Sequence, residues 1–223
     1  MDPKLTAALV GVVAGWLLAQ LSTSLRTWHD RRRTRKALND ELLEISDELD
    51  RWWQSYARTL QISTLKGFDS STPLPLTHHI FNNHYRDAAI GMNRHQRRAM
   101  QLTHSYIDAL NDRNREFTEK LIQLRDKARS DKKITATEAE GYGDSIKTLL
   151  RMVGQAKWHV RHYLEHPVFP ELAPNTPTHK AYLKHTVSVD EEIKRIEESS
   201  RNIPLEKFNR IYDPADFDAI PDE

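Results

Sequence analysis

The chain has 223 residues, a formal net charge of +1 and no cysteine. Without cysteine it has no thiol nucleophile, and the absence agrees with a cytosolic domain. The nearly balanced charge, with no recognition motif, argues against a nucleic acid as partner.

The first element in the chain is an uncharged apolar stretch at residues 5–25, LTAALVGVVAGWLLAQLSTSL. As a helix this stretch would reach roughly 31 Å, close to the thickness of a hydrocarbon core of about 30 Å. We therefore expect residues 1–25 to form a single transmembrane anchor. A cleaved signal peptide is the alternative, but the apolar core is long and the basic cluster lies on its wrong side.

Small residues recur at every fourth position of this stretch, at Ala7, Gly11, Gly15 and Ala19. Such a spacing keeps them on one face of a helix, where they allow close approach of a second helix. The pattern predicts self-association of the anchor into a homo-oligomer. The alternative is that glycine and alanine are simply common in membrane helices.

A basic juxtamembrane segment follows at residues 26–36. Its candidate contacts to lipid headgroups are Arg26, Trp28, Arg31, Arg32, Arg33, Arg35 and Lys36. The positive-inside rule places this segment and the rest of the chain in the cytoplasm, with the N-terminus outside the cell's inner membrane. Anionic lipids are the expected partner, because the segment would lie against the membrane surface.

Apolar residues spaced by three and four predict an all-α fold, in which the anchor continues into a cytoplasmic antiparallel helical bundle with coiled-coil-like packing at residues 37–166. The first stripe is Leu38, Leu42, Ile45, Leu49, Trp52 and Tyr56. No breaker separates it from the anchor, so one long helix is expected. The Trp and Tyr cluster is interpreted as core rather than as a ligand cage.

Turn and capping signals divide the rest of the bundle. A loop is expected at residues 66–75 and a helix at 77–90, with Gly91 as its C-terminal cap. Asn93 with Gln96 and Thr135 with Glu138 have the spacing of capping boxes and predict two more helices. Asn114 interrupts an apolar stripe, which is typical of a residue that sets register.

The C-terminal part divides into three segments. Residues 167–187 are proline-rich and predict a linker that lies extended along the bundle. Ser188 with Glu191 predicts a last helix at 188–202. Residues 203–223 form an acidic tail that docks on the bundle or on a partner.

The sequence offers few signs of catalysis. His159, His162 and His166 share one helical face and are weak candidates for a metal site, but no Glu-x-x-His motif accompanies them. Walker, G-x-G-x-x-G and G-x-S-x-G motifs are absent as well. We therefore expect no enzyme activity, no cofactor and no resident metal.

These observations favour a non-enzymatic, membrane-anchored scaffold or sensor that is oligomeric and binds a cytoplasmic protein partner. One alternative is a membrane-disrupting effector of a bacterial defence or cell-suicide system. Polar residues for a pore lining are few, namely Thr6, Gln20, Ser22, Thr23 and Ser24. A metal-dependent enzyme is the third hypothesis.

Overall fold

The computed structural model describes residues 3–65, 67–68, 71–130 and 133–201, with side chains from residue 11 onward. Five helices and no strand are found in these ranges. The helices are α1 (Pro3–Thr64), α2 (His79–Ala89), α3 (Arg94–Arg129), α4 (Ala136–Glu165) and α5 (Pro177–Ser200). The predicted acidic tail at 203–223 lies outside the described residues.

Helix α1 is continuous from the predicted anchor into the bundle, as expected. Its predicted stripe is buried throughout, with every member at most 2% exposed. Trp53 and Leu60 extend the buried face, at 7% and 1% exposed. The aromatic cluster of this stripe is therefore core, as the sequence indicated.

The structure does not support the predicted transmembrane helix. Among the described residues, no helix is long and apolar enough to cross a membrane. The described side chains of the predicted span cover residues 11–25, which reach only about 22 Å as a helix. The side chains of residues 1–10, Ala7 included, lie outside the described part.

Helices α3 and α4 begin at the capping boxes that the sequence indicated. Asn93 accepts the backbone N–H of Gln96, and the Gln96 side chain accepts the backbone N–H of Asn93. Thr135 and Glu138 form the same reciprocal pair. These bonds satisfy backbone donors that have no partner inside a helix.

Consecutive helices run antiparallel, and paired contacts show it. Along α3 and α4, Lys127 binds Glu138 near their junction, whereas Tyr106 stacks on His159 at the far ends. Two ion pairs join α4 to α5: Arg151 with Asp190 at 2.6 Å and Lys147 with Glu197 at 3.3 Å. The earlier residue of α4 pairs with the later residue of α5, as antiparallel helices require. The helical bundle is thus confirmed.

The extended segment between α1 and α2 is fastened to α3 by amide side chains. Asn111 binds both the N–H and the C=O of Leu76, at 2.8 and 2.9 Å. Asn114 donates to the Pro73 carbonyl at 3.0 Å and accepts the hydroxyl of Tyr56 at 2.5 Å. The polar residue in the α3 stripe therefore holds a loop and a neighbouring helix in place.

The prediction for the last helix was wrong at its start. Helix α5 begins at Pro177, and Thr176 accepts the N–H of His179 as its N-cap. Proline suits the first helical position because it lacks the N–H that would be unpaired there. Ser188 lies inside α5, where its hydroxyl donates to the His185 carbonyl. The predicted linker at 167–187 is therefore helical from residue 177.

Candidate functional site

The N-terminal half of α1 projects from the bundle. Every residue from 11 to 30 is exposed. Large apolar side chains point outward on all sides; the most exposed are Val12, Trp16, Leu18, Leu21, Leu25 and Trp28, at 59–72%. An exposed apolar surface of this extent marks a site of contact with a membrane or another protein.

The predicted small-residue face lies on this projecting part. A Cβ added at Gly11 or Gly15 would meet nothing within 4 Å. Ala19 is exposed as well. Packing within the chain therefore does not explain why glycine occupies these two helical positions, where it costs about 1 kcal/mol relative to alanine.

The hydroxyls near the end of the apolar stretch are used within the helix. Thr23 donates to the Ala19 carbonyl at 2.9 Å, and Thr27 donates to the Thr23 carbonyl at 2.9 Å. The protons of these two hydroxyls are therefore not available to line a polar pore.

The basic segment forms a pocket where α1 enters the bundle. A cavity of about 390 Å³ is lined by Trp28, Arg31, Arg32, Arg35 and Gly91. We call it the arginine pocket. The guanidinium of Arg32 lies 5.6 Å from the Trp28 ring centre, a cation–π contact. Arg26, Arg33 and Lys36 do not line the pocket, and all three are exposed.

Within the described part of the chain, the arginines of the pocket have no anionic partner. Across the described residues, none of the three forms an ion pair with a carboxylate. The Nε atom of Arg35 is buried and has no hydrogen-bond partner among the residues that the structure describes. A buried donor left unpaired costs about 1–3 kcal/mol, so this geometry favours an added acceptor.

Gly91 has a different role from the predicted one. Helix α2 ends at Ala89 with Ile90 as its C-cap, and Gly91 has no positive φ. A Cβ at Gly91 would lie 1.7 Å from Nη2 of Arg35. Glycine at this position lets the Arg35 guanidinium pack directly against the backbone of the turn.

The end of the bundle around this pocket, which we call the proximal end, is both basic and apolar. It consists of the turn at residues 90–93, the start of α3 and the segment 166–173. Exposed apolar side chains are Ile90, Val168 and Phe169, at 63%, 74% and 54%. Arg94 and Arg98 line a second cavity of about 210 Å³ there.

The three histidines at the end of α4 are not gathered as metal ligands. His162 contacts the Glu171 carbonyl at 3.1 Å, and His166 contacts the His162 carbonyl at 3.2 Å. His159 is 6% exposed and lines a cavity of about 150 Å³ with Tyr106 and Tyr182. In the part of the chain with described placement, no group of His, Asp and Glu could hold a metal ion.

Burial lowers the pKa values of His104, His159 and His162, the first two by the larger amounts. The pKa of His159 falls from 6.5 to about 4, mainly through desolvation and then through the nearby His162 and His185. The pKa of His104 falls to about 3, again through burial and then through His78. Both imidazoles are therefore neutral at pH 7.

The sequence singled out Trp28 and the arginines, but it did not predict that four of these side chains line one cavity with Gly91. The Arg run and Trp28 were singled out by composition, whereas the contribution of Gly91 was mistaken for helix capping. No local signal could have shown it, because the contact joins residues 35 and 91. His104 and Asp108 were missed as partners of His78 for the same reason.

Comparisons of the chain with protein-family models, with curated proteins and with solved structures gave no match.

Proposed function

We propose that this protein is a non-enzymatic scaffold whose helical bundle is held at a membrane by the N-terminal part of α1. The observation that carries the proposal is the exposed apolar surface of residues 11–25, which no other part of the described chain covers. A helix that is apolar all round is normally buried in a protein core or in lipid.

The features of the proximal end support the same proposal. Trp28 and the arginines follow the apolar part of α1 directly, an arrangement suited to a membrane interface. Ile90, Val168 and Phe169 are exposed at the end of the bundle from which the apolar helix emerges. A bilayer surface would meet these apolar and basic groups together.

The proposed arrangement is a single pass formed by residues 5–25, with the N-terminus outside and the bundle in the cytoplasm. Six basic residues follow the apolar stretch within residues 26–36, and only Lys4 precedes it. This asymmetry retains positive charge on the bundle side. The bundle would then present its surface to a cytoplasmic protein partner.

Membrane attachment is tested by expressing the full chain in a bacterial host and washing the membranes with alkaline carbonate. We expect the chain to stay in the pellet and the bundle to be protected from protease added outside the cells. Recovery of the wild-type chain in the carbonate supernatant would overturn the proposal.

A matched pair of variants locates the attachment on the projecting helix. Leu17→Lys with Leu18→Lys places two charges in the apolar stretch, each costing about 2.5–3.5 kcal/mol at a helix centre in a membrane. We expect this variant to be released by carbonate. Leu43→Lys alters an equally exposed leucine of α1 within the bundle, 53% exposed, and should remain in the pellet.

A further inference from the structure

The arginine pocket has the properties of a binding site for one anionic group. Three arginines line a cavity of about 390 Å³, and among the described residues no carboxylate side chain lines it. This volume lies within the range of about 300–1,000 Å³ that is typical of small-ligand sites. Like charges held together without a counter-charge favour an anion between them.

The geometry of the ligands favours phosphate among the anions. A guanidinium presents a planar fork of N–H donors that matches phosphate oxygens. Arg35 has a buried Nε donor that meets no partner in the described ranges, and its guanidinium packs against Gly91 in the turn that follows α2. The site is therefore built from two separate elements and is not just a charged stretch of helix.

We infer that the arginine pocket binds a phosphate ester group, with Arg31, Arg32 and Arg35 as its ligands. The inference deepens the proposed function. A lipid as the source of the phosphate rests on that function, because the pocket lies where a membrane surface would meet the bundle. A phospholipid headgroup and a soluble phosphate ester share this chemistry.

The test is calorimetric titration of the full chain in a maltoside detergent, which carries no phosphate. The titrants are short-chain phosphatidic acid, glycerol 3-phosphate and, as a carboxylate control, hexanoate. Binding of phosphatidic acid alone assigns a lipid source, and comparable binding of glycerol 3-phosphate assigns a soluble one. Either result supports a phosphate site, whereas binding of hexanoate alone or of none of the three overturns it.

Two pairs of variants separate a built pocket from general charge attraction. Arg35→Gln and Arg33→Gln remove the same charge from the same run, but only Arg35 lines the pocket. We expect about a tenfold or greater loss of phosphate affinity for Arg35→Gln, the size of a lost charge-assisted hydrogen bond, and little change for Arg33→Gln. Equal losses in both variants would overturn the inference.

Gly91→Ala provides a test without any change of charge. Its Cβ would displace the tip of Arg35, a flexible group, so the fold should persist. We expect about a tenfold loss of affinity with unchanged circular dichroism. Gly141→Ala is the control, because a Cβ there meets Lys120 Nζ only at 3.4 Å. Undiminished affinity in Gly91→Ala would count against the pocket.

The two proposals can fail separately. Carbonate-resistant attachment without phosphate binding would remove the pocket and leave the anchor. Binding of glycerol 3-phosphate that depends on Arg35, in a chain released by carbonate, would remove the anchor and leave the phosphate site.

Discussion

Glu41 shows how a single buried charge is stabilised in this bundle. Its side chain is 5% exposed, and its two oxygens accept the backbone N–H groups of Ile80 and Phe81 at 2.6 and 2.9 Å. These donors belong to the first turn of α2, whose N-cap His78 makes no capping bond with its side chain. Helix α1 therefore supplies the cap that α2 lacks, and the helix dipole favours the negative charge there.

A chain of polar contacts beside it links two histidines to a carboxylate. His78 Nε2 lies 3.0 Å from the Asp108 carboxylate, and His78 Nδ1 lies 3.2 Å from His104 Nδ1. If His78 carries one proton and donates it from Nε2 to Asp108, its Nδ1 accepts from His104 Nδ1. The buried Nε2 of His104, which has no partner among the described residues, is then an unprotonated acceptor.

This arrangement predicts that acid destabilises the fold through His104. Its pKa is about 3 in the folded chain against an ordinary 6.5, so the unfolded chain binds the proton first as pH falls. Stability from this group is complete above about pH 6.5 and is lost progressively toward pH 3. From pH 7 to 5 we expect His104 alone to contribute a loss of about 2 kcal/mol in the free energy of unfolding, measured by denaturant titration at each pH.

His104→Gln should reduce the loss in the free energy of unfolding between pH 7 and 5 by about 2 kcal/mol relative to the wild type. His159, lowered by burial to about 4, contributes to the slope in both proteins and cancels in the comparison. The exposed His84 serves as the control, and His84→Gln should retain the wild-type slope. An unchanged slope in His104→Gln would show that another group causes the acid sensitivity.

At the scale of the helices, the sequence predicted what depends on local pattern. The three-four rhythm and the capping boxes located α3 and α4, because both act within one or two helical turns. The start of α5 was missed because Ser188 and Glu191 imitate a cap inside a helix that Thr176 and Pro177 begin. The arginine pocket could not be predicted, since it depends on a contact between distant parts of the chain.

Close packing of α4 against α5 depends on one glycine. A Cβ at Gly154 would lie 2.7 Å from Cγ2 and 3.1 Å from Cγ1 of Val189, a branched side chain that cannot swing away without leaving the core. We expect Gly154→Ala to destabilise the fold by about 1–2 kcal/mol, measured by chemical unfolding. This is a net loss, since alanine has the better helix propensity by about 1 kcal/mol.

A glycine-to-alanine substitution elsewhere on α4 should stabilise the fold rather than destabilise it. Gly143 meets only Ser63 Oγ at 3.4 Å, so Gly143→Ala should be neutral or stabilise by up to about 1 kcal/mol. Val189→Ala should recover part of the loss when combined with Gly154→Ala. Additive losses in the double variant would mean that these two residues do not limit the helix spacing.

The molecule consists of one very long helix with a compact bundle along only part of it. Helix α1 has 62 residues and is therefore about 93 Å long, whereas α2 to α5 pack along its second half. The described side chains of its first half, residues 11–30, are all exposed. The exposed apolar helix is therefore the part of the molecule through which we expect neighbouring copies to associate.

We predict that copies associate through the face formed by Gly11 and Gly15. A Cβ at either glycine would meet no atom within 4 Å in the described part of the chain, so leucine there should leave the bundle intact but hold two helices apart. In energy-transfer measurements on the labelled full chain in membranes, Gly11→Leu with Gly15→Leu should reduce association to the level of a monomeric control. Val13→Ala with Leu17→Ala alters the opposite face at about 100° per residue and should retain it. Equal association in both variants would exclude the glycine face as the contact and direct attention to the bundle.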